Sequence, residues 1–547
     1  MALTQRICRN CEMPFPITES DFTFYKKIDV PEPTQCPDCR SQRRWAFRNE
    51  RYLFQRTCDL CQKNMLSFFD AEVSFPVYCP TCWWSDHWDP FAYGRDFDFS
   101  KSFFEQFAQL ITVVPKMGML QLNNENSEYN TLLAYSKNTY MSPGSYFMED
   151  CYYVRKSQYC KDSLDSLFID HCELVKDCVN SRNCYQSHHL INCKTCTDSA
   201  YMADCIGCQN CFLCANISNQ QFCIKNVAYS KEEYQKLKAN YEQRGFEDLM
   251  KEFFNFSQTF PKKYQNQINC EASSGDYIQN CNNALECYDC FDIEDSKYLI
   301  ECVTVKDSMD LTCHDKDIER CYEVCSAGES NSNLKFSFCT AASPNSEYCQ
   351  YCFYLADSFG CDGFHARQSH CILNKKYDKP TYDQLRAKII EHMKKTGEYG
   401  EFFPIALSLH PYNETMAQDY YPLTREQALA KGYRWRDKNP KQCLPATAVL
   451  ASRIQEIPET IVDELLACEG CGKNYKVIRQ ELKLCHRLGV TPSRLCADCR
   501  SLQLLKLKNP RKLWNRNCAQ CGVAISTTYE PNRSEKVFCE KCYLGTL

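Results

Sequence analysis

The stretch CRNCEMPFPITESDFTFYKKIDVPEPTQCPDCR (Cys8–Arg40) opens with one CxxC turn and closes with another. It is followed by CDLC (Cys58–Cys61) and CPTC (Cys79–Cys82). Adding 460 to each of these eight cysteine numbers gives Cys468, Cys471, Cys496, Cys499, Cys518, Cys521, Cys539 and Cys542, and every one of those positions is a cysteine. The gaps between turns, 24, 18 and 17 residues, are identical at both ends. Chance does not keep seven spacings in step, so one module is present twice. Flanking residues keep the same offset: Asp38 with Asp498, Arg40 with Arg500, Arg51 with Arg511, Leu53 with Leu513, Arg56 with Arg516 and Val77 with Val537.

Zinc takes four thiolates in a tetrahedron, and a CxxC turn places two sulfurs on one side of the ion. Cys8, Cys11, Cys36, Cys39, Cys58, Cys61, Cys79 and Cys82, with their eight counterparts, therefore predict two ions per module and four in all. Pairing can be sequential or crossed, first turn with third and second with fourth; spacing leaves both open. Each expected site already has four thiolates, so it offers no position for Lewis-acid catalysis, and the ions are expected to hold structure in a protein that is not an enzyme.

Outward from the modules, composition sets the class. The chain has 547 residues, 43 of them cysteine, with 44% apolar and 13% aromatic residues, enough for packed cores. The N-terminal residues lack a signal-peptide apolar run and no stretch is apolar enough to span a bilayer, which predicts a cytoplasmic protein whose thiols stay reduced. Net charge is −5, but residues 468–547 hold 15 Lys/Arg against 6 Asp/Glu. A basic end on an acidic body points to an anionic partner.

The cysteine rule changes in the middle. Cys151, Cys172, Cys193 and Cys214 lie 21 residues apart, and short runs such as SLFI and CELV alternate with polar corners. This predicts two cysteine-rich parallel β-solenoid blocks, the second less regular, in which thiols fill a narrow interior as a ladder. The fold class expected is mixed, mainly β: 1–95 a tandem zinc-ribbon module, 96–145 a helical connector, 146–229 the first solenoid with a 21-residue period, 230–262 a helical cap, 263–377 the second solenoid, 378–462 a cap and connector, and 463–547 the second module. Ser102 and Glu105 form an expected capping pair for the connector helix. Cys193, Cys196, Cys205, Cys208, Cys211 and Cys214 are candidate ligands for additional metal, the last four as CxxCxxCxxC. That run lacks the third gap of a ferredoxin cluster site.

Between the two expected zinc sites of each module lies a basic linker. RSQRRWAFRNERYLFQR carries Arg40, Arg43, Arg44, Arg48, Arg51 and Arg56; its counterpart RSLQLLKLKNPRKLWNR carries Arg500, Lys506, Lys508, Arg511, Lys512 and Arg516. On a helix, Arg40, Arg44, Arg48 and Arg51 share one face, and interleaved aromatics such as Trp45 and Phe47 can stack on bases. These residues are the expected RNA or DNA contacts. A protein-binding adaptor using the solenoid face, and a metal or redox protein using the central thiols, are the alternatives. No Walker, GxGxxG or HExxH motif is present, and with 17 glycines a phosphate-cradling loop or small-molecule substrate is not expected.

The opening stretch and its partner CEGCGKNYKVIRQELKLCHRLGVTPSRLCADCR resemble zinc-ribbon domains. With VYCPTCWWSDHWDPFAYGRDFDFS and FFPIALSLHPYNETMAQDYYPLTREQALAKGYRWRD, nearly the whole chain resembles uncharacterised cysteine-rich zinc-ribbon proteins of uncultured bacterial lineages. The resemblance implies an architecture and a metal, and carries no activity. The second copy departs from the first in having Cys485 where Tyr25 stands, a spare thiol.

Overall fold

The computed structural model describes residues 3–314, 316–437 and 443–546, so residues 438–442 of the expected connector lie outside it. Two large sheets, parallel except at one terminal hairpin strand, form the body. The first has eight strands, from Tyr152–Arg155 to Val227–Ala228, and the second eleven, from Gln267–Ile268 to Gln350–Phe353. Within the described residues no helix is long and apolar enough to cross a membrane.

Pairing in the first block advances by twelve residues: Tyr152 faces Leu164, Glu173 faces Tyr185, His188 faces Ala200 and Ala200 faces Phe212. The expected 21-residue period is therefore not the pairing step. Its origin is a period of three. Cys151, Val154, Cys160, Ile169, Cys172, Val175 and Cys178 are all buried and all separated by multiples of three. Asp150, Tyr153, Lys156, Tyr159 and Asp162, each just before or two after an inward residue, adopt positive φ. A left-handed residue at every third position bends the strand repeatedly, so 21 residues, seven triplets, return a cysteine to the interior but on a different wall. The second block keeps the twelve-residue step at Gly275 with Cys287 and Tyr288 with Ile300, and lengthens it to thirteen at Met309 with Tyr322 and Leu355 with Gln368.

A left-handed non-glycine residue costs roughly 1–2 kcal/mol, so so many of them need a compensating network. The backbone supplies one, as in Lys161 N–H to Cys172 O (3.0 Å) and Leu174 N–H to Lys161 O (3.1 Å). Inward side chains supply another. Ser157 Oγ donates to Arg155 O and accepts from Ile169 N–H one step on; Ser181 does the same for Val179 O and Cys193 N–H. The Cys172 thiol reaches Asp170 O and Ser181 O. A side chain at these positions must be small and able to hydrogen-bond to inward carbonyls, which is why serine and cysteine share them with Val and Ile. Outside, Asn180 donates to Asn192 and Asn192 to Asp204, while Tyr135, Phe147, Tyr159 and His171 stack at 5.1, 4.8 and 4.7 Å between centroids.

Burial pushes the Cys151 thiol up to about 12 and raises Cys178 and Cys193 well above the ordinary thiol range. Since the thiolate is the nucleophile, these sulfurs are expected to resist alkylation. Brief iodoacetamide treatment of the metal-loaded protein, read by peptide mass spectrometry, should modify the exposed Cys443 and spare Cys151, Cys178 and Cys193. Equal labelling of all four would contradict the buried ladder.

Helices follow each of the blocks. Lys231–Glu242 starts at Ser230, whose side chain and that of Glu233 cap each other; Phe246–Gln258 packs on the first sheet; Lys379–Thr396 follows the second. Ser102 Oγ accepts from Glu105 N–H at the start of Phe103–Ile111, and Phe103, Phe107, Leu110 and Ile111 face inward.

Candidate metal centres

Each CxxC pair has its own local structure. The first pair of every site sits at the tip of a hairpin, such as Leu3–Ile7 with Pro14–Thr18, or Trp514–Asn517 with Ala524–Thr527. Cys8 N–H bonds to Met13 O and Glu12 N–H to Cys8 O, closing a turn whose residue Glu12 is left-handed; Gln62, Gly472 and Gly522 occupy the same place in the other three. The second pair begins a helix. Cys36, Cys79, Cys496 and Cys539 are the N-cap residues of Pro37–Trp45, Pro80–Trp83, Ala497–Leu505 and Glu540–Leu544.

The hairpin and the helix bring the sulfurs together in four quartets, each with its Sγ atoms within 4.8 Å of one another: Cys8/Cys11/Cys36/Cys39, Cys58/Cys61/Cys79/Cys82, Cys468/Cys471/Cys496/Cys499 and Cys518/Cys521/Cys539/Cys542. The pairing is thus sequential. Sγ–Sγ distances of 3.8, 4.0, 3.7 and 3.7 Å across hairpin and helix match the edge of a tetrahedron about 3.8 Å wide that follows from metal–sulfur bonds of about 2.3 Å. Every quartet can hold a metal ion. Backbone donors add to the fit: the N–H groups of Cys36, Cys79, Cys496 and Cys539 point at the Sγ of Cys8, Cys58, Cys468 and Cys518 at 3.2–3.3 Å. Burial opposes the thiolate of Cys8, but N–H donors from Cys36, Cys11 and Asn10 outweigh it and bring that thiol down to about 6; Cys518 falls to about 6 in the same way.

The six central cysteines behave differently. Cys193, Cys196, Cys205, Cys208, Cys211 and Cys214 are buried, and each thiol donates to the carbonyl two residues before it. Among the described residues the groups of three or more ligand atoms within 4.8 Å are the four terminal quartets, and these six do not form another. The reason is the triplet spacing, which puts successive inward thiols on successive walls. Cys485, the spare thiol, is buried on the helix Arg479–Leu488.

The basic linkers are also placed otherwise than expected. Pro37–Trp45 is a helix, but its arginine face points into the protein. Arg40 meets Asp310 (2.9 Å), Arg44 meets Asp310 and Glu323, and Arg43 meets Glu323 and Glu401, with the three arginine side chains no more than 5% exposed. Arg48 pairs with Glu50, Arg51 with Asp419 and Arg56 with Asp59. In the second module Arg500 joins Asp165 and Glu481, and Lys508 and Arg511 join Asp289 and Glu301. Arg516 bonds to the carbonyls of Glu530 and Glu535. Lys506 and Lys512 are exposed, Lys512 lying 3.7 Å from Asp38. The expected phosphate-binding face is thus a set of internal ion pairs, because the body's surplus acids lie where the linkers dock. Sequence spacing shows the arginines but not distant partners such as Asp310, Glu323, Asp419 and Asp165, each more than two hundred residues away.

The docking is crossed and doubled. Pro37–Trp45 of the first module lies on strands of the second block, and Ala497–Leu505 of the second module lies on the first block. Arg40 stands over Tyr298 and Arg500 over Tyr153, at 5.4 and 4.3 Å from the ring centroids. Tyr153 and Tyr298 differ by 145 residues, as do Asp165 and Asp310. The two dockings therefore set like arginines against like tyrosines and aspartates. Val77–Tyr78 pairs with Lys116–Met117 ahead of the first block, and Val537–Phe538 with Lys262–Lys263 ahead of the second. The chain matches no known protein-family model and no curated protein.

One ion network joins all four parts. Glu50 receives Arg48, Arg155 and Lys156; Lys156 also reaches Glu301, which takes Arg511; and Asp289 takes Arg511 and Lys508. Arg155 also bonds to Ser501 on the second module's helix.

Proposed function

We propose that this protein is a non-enzymatic scaffold whose four quartets hold zinc, and that each sheet block is a β-solenoid of twelve-residue coils clamped by a zinc-ribbon module from the opposite end of the chain. The observation behind this reading is the position of Arg40 and Arg500. Each directly follows the last thiolate of a quartet, Cys39 or Cys499, and each is buried against carboxylates of a sheet block. A metal that orders the turn thereby aims the arginine. All-thiolate quartets are closed sites, which favours an architectural ion over a catalytic one. A reducing compartment keeps such thiolates available.

The linkers give the nucleic-acid reading little support, since most of their cations are taken by internal carboxylates. A docking role for the outer face has one observation in its favour: Tyr135, Phe147 and Tyr159 form an exposed aromatic column on the first block. A protein partner retained after nuclease treatment and lost on Phe147→Ser would favour it.

Metal analysis of the anaerobically purified chain tests the main proposal. Four zinc ions per chain and a colourless solution are expected. Visible sulfur-to-iron absorption, or fewer than four ions in fully folded protein, would overturn it.

A further inference from the structure

One wall of the first block's interior carries a run of sulfur. Cys160, Cys172, Cys184, Cys196 and Cys208 follow one another at twelve residues, the pairing step of the block, and all five are buried. Each takes the same place in its coil. The thiol donates to the carbonyl two residues before it, at 3.1–3.5 Å, and lies 3.5–3.8 Å from the carbonyl nine residues after it. Side chains held by the same two carbonyls in every coil repeat at the spacing of paired strands, about 4.7–4.9 Å. The sulfurs therefore stand in a straight column, each facing the next: Cys172 has Cys160 and Cys184 as thiol neighbours, and Cys196 has Cys184 and Cys208. One further step of twelve at either end brings Met148 and Gln220. Met148 is buried and Gln220 is exposed, so Cys208 lies one side chain from solvent.

Zinc needs four sulfurs around one point, which a column does not offer. An ion held by two ligands in line is a different case. Two metal–sulfur bonds of about 2.3 Å laid end to end span about 4.6 Å, close to the gap between successive sulfurs. Thiols select soft ions, copper(I) foremost, and a filled-shell monovalent ion accepts two ligands in line. We infer that this column binds soft monovalent cations of the copper(I) class between stacked thiols. A thiolate shared by two ions is bent whereas the column is straight, so alternate gaps fill and five thiols hold about two ions. At each ion one S–H bond breaks and its proton leaves to solvent. The thiolate so formed and a lone pair of the next sulfur make the two metal–sulfur bonds. One positive charge enters as one leaves, so the dry interior gains no net charge.

The test uses the zinc-loaded full chain, given copper(I) anaerobically as its acetonitrile complex and then desalted. Copper and zinc are counted in the same sample, which reads the fate of the quartets apart from that of the column. The wild type is expected to keep its zinc and to hold about two more copper ions than the double variant Cys172→Ser with Cys196→Ser, since every gap in the column contains one of those two sulfurs. Serine is already the inward residue at Ser157 and Ser181, so the coil accommodates it. Copper X-ray absorption should show two sulfur neighbours, and crystals of the loaded wild type should show anomalous peaks between stacked thiols. Copper taken up only as zinc is released, or equal copper in the two chains, would overturn the inference. Should the variant not fold, the crystals decide, and a column without anomalous peaks overturns it as well.

Discussion

Stripped of metal by a chelator, the protein is expected to lose amide protection across residues 8–82 and 468–542 while the strands from Tyr152 to Ala215 keep theirs. The fourth quartet ties a hairpin to a helix with little apolar material in between. Around the fourth site the buried residues are Cys518, Ile525, Tyr529 and Val537. Structural zinc contributes about 10–16 kcal/mol of apparent binding free energy at neutral pH, more than such a small core supplies. The first block has its own interior of stacked Val, Ile, Leu, Ser and Cys, and does not depend on the ions for its ladder. A second effect separates this proposal from simple local unfolding. With Arg40, Arg43 and Arg44 withdrawn, Asp310 and Glu323 remain in the second block without partners, so exchange should also accelerate in Met309–His314 and Tyr322–Ala327. Hydrogen exchange read by mass spectrometry, before and after zinc is restored, checks both. Unchanged protection in the terminal modules of fully stripped protein would refute the architectural role of the metal.

Replacing Arg40 by methionine is expected to destabilise the folded protein by up to about 3–5 kcal/mol, because buried Asp310 then keeps only Arg44 as its cation. Arg40 Nε donates to Asp310 (3.0 Å) and Nη1 to Gln35 O (2.6 Å), so the substitution breaks the link between block and module at its centre. Adding Asp310→Leu should recover much of the loss, because an apolar pair removes the stranded charge. Denaturant midpoints of the wild type, both single variants and the double variant complete the cycle. A surface arginine used to hold nucleic acid would behave differently, with Arg40→Met changing stability by less than about 0.5 kcal/mol. The central network adds an acid limit. Burial raises the Glu301 carboxyl, but Lys156 and Arg511 outweigh it and hold it down at about 2. Its folded value lies below its unfolded one, so its contribution is complete above the ordinary carboxylate range and is lost as the pH falls toward 2. Lys156→Met should move that loss to higher pH in acid titrations followed by circular dichroism.

The ligand cysteines were legible because metal chemistry is local: two sulfurs per CxxC turn are written as spacings, and the 460-residue offset repeats them, whereas the pairing of the turns was left open until the structure gave it. The helix start at Ser102 was legible for the same reason, since a cap reads only the next turn. The triplet rule of the first block was also present in the sequence. All twelve cysteines from Cys151 to Cys223 are separated by multiples of three. Spacing of 21 concealed it, because a multiple of the true unit looks like a period.

By itself the sequence determined which sixteen cysteines are the ligands, that the module is duplicated, and that the middle is a repeat of small inward side chains; which turn meets which was decided by the fold. Only the tertiary structure decided what the arginines do. A guanidinium has the same residue symbol on a solvated phosphate-binding face and in a buried pair with Asp310, and which one it becomes depends on partners brought together from distant parts of the chain. Crossed docking of the helix Pro37–Trp45 on the second block and of Ala497–Leu505 on the first follows from that packing and from nothing in the local spacing.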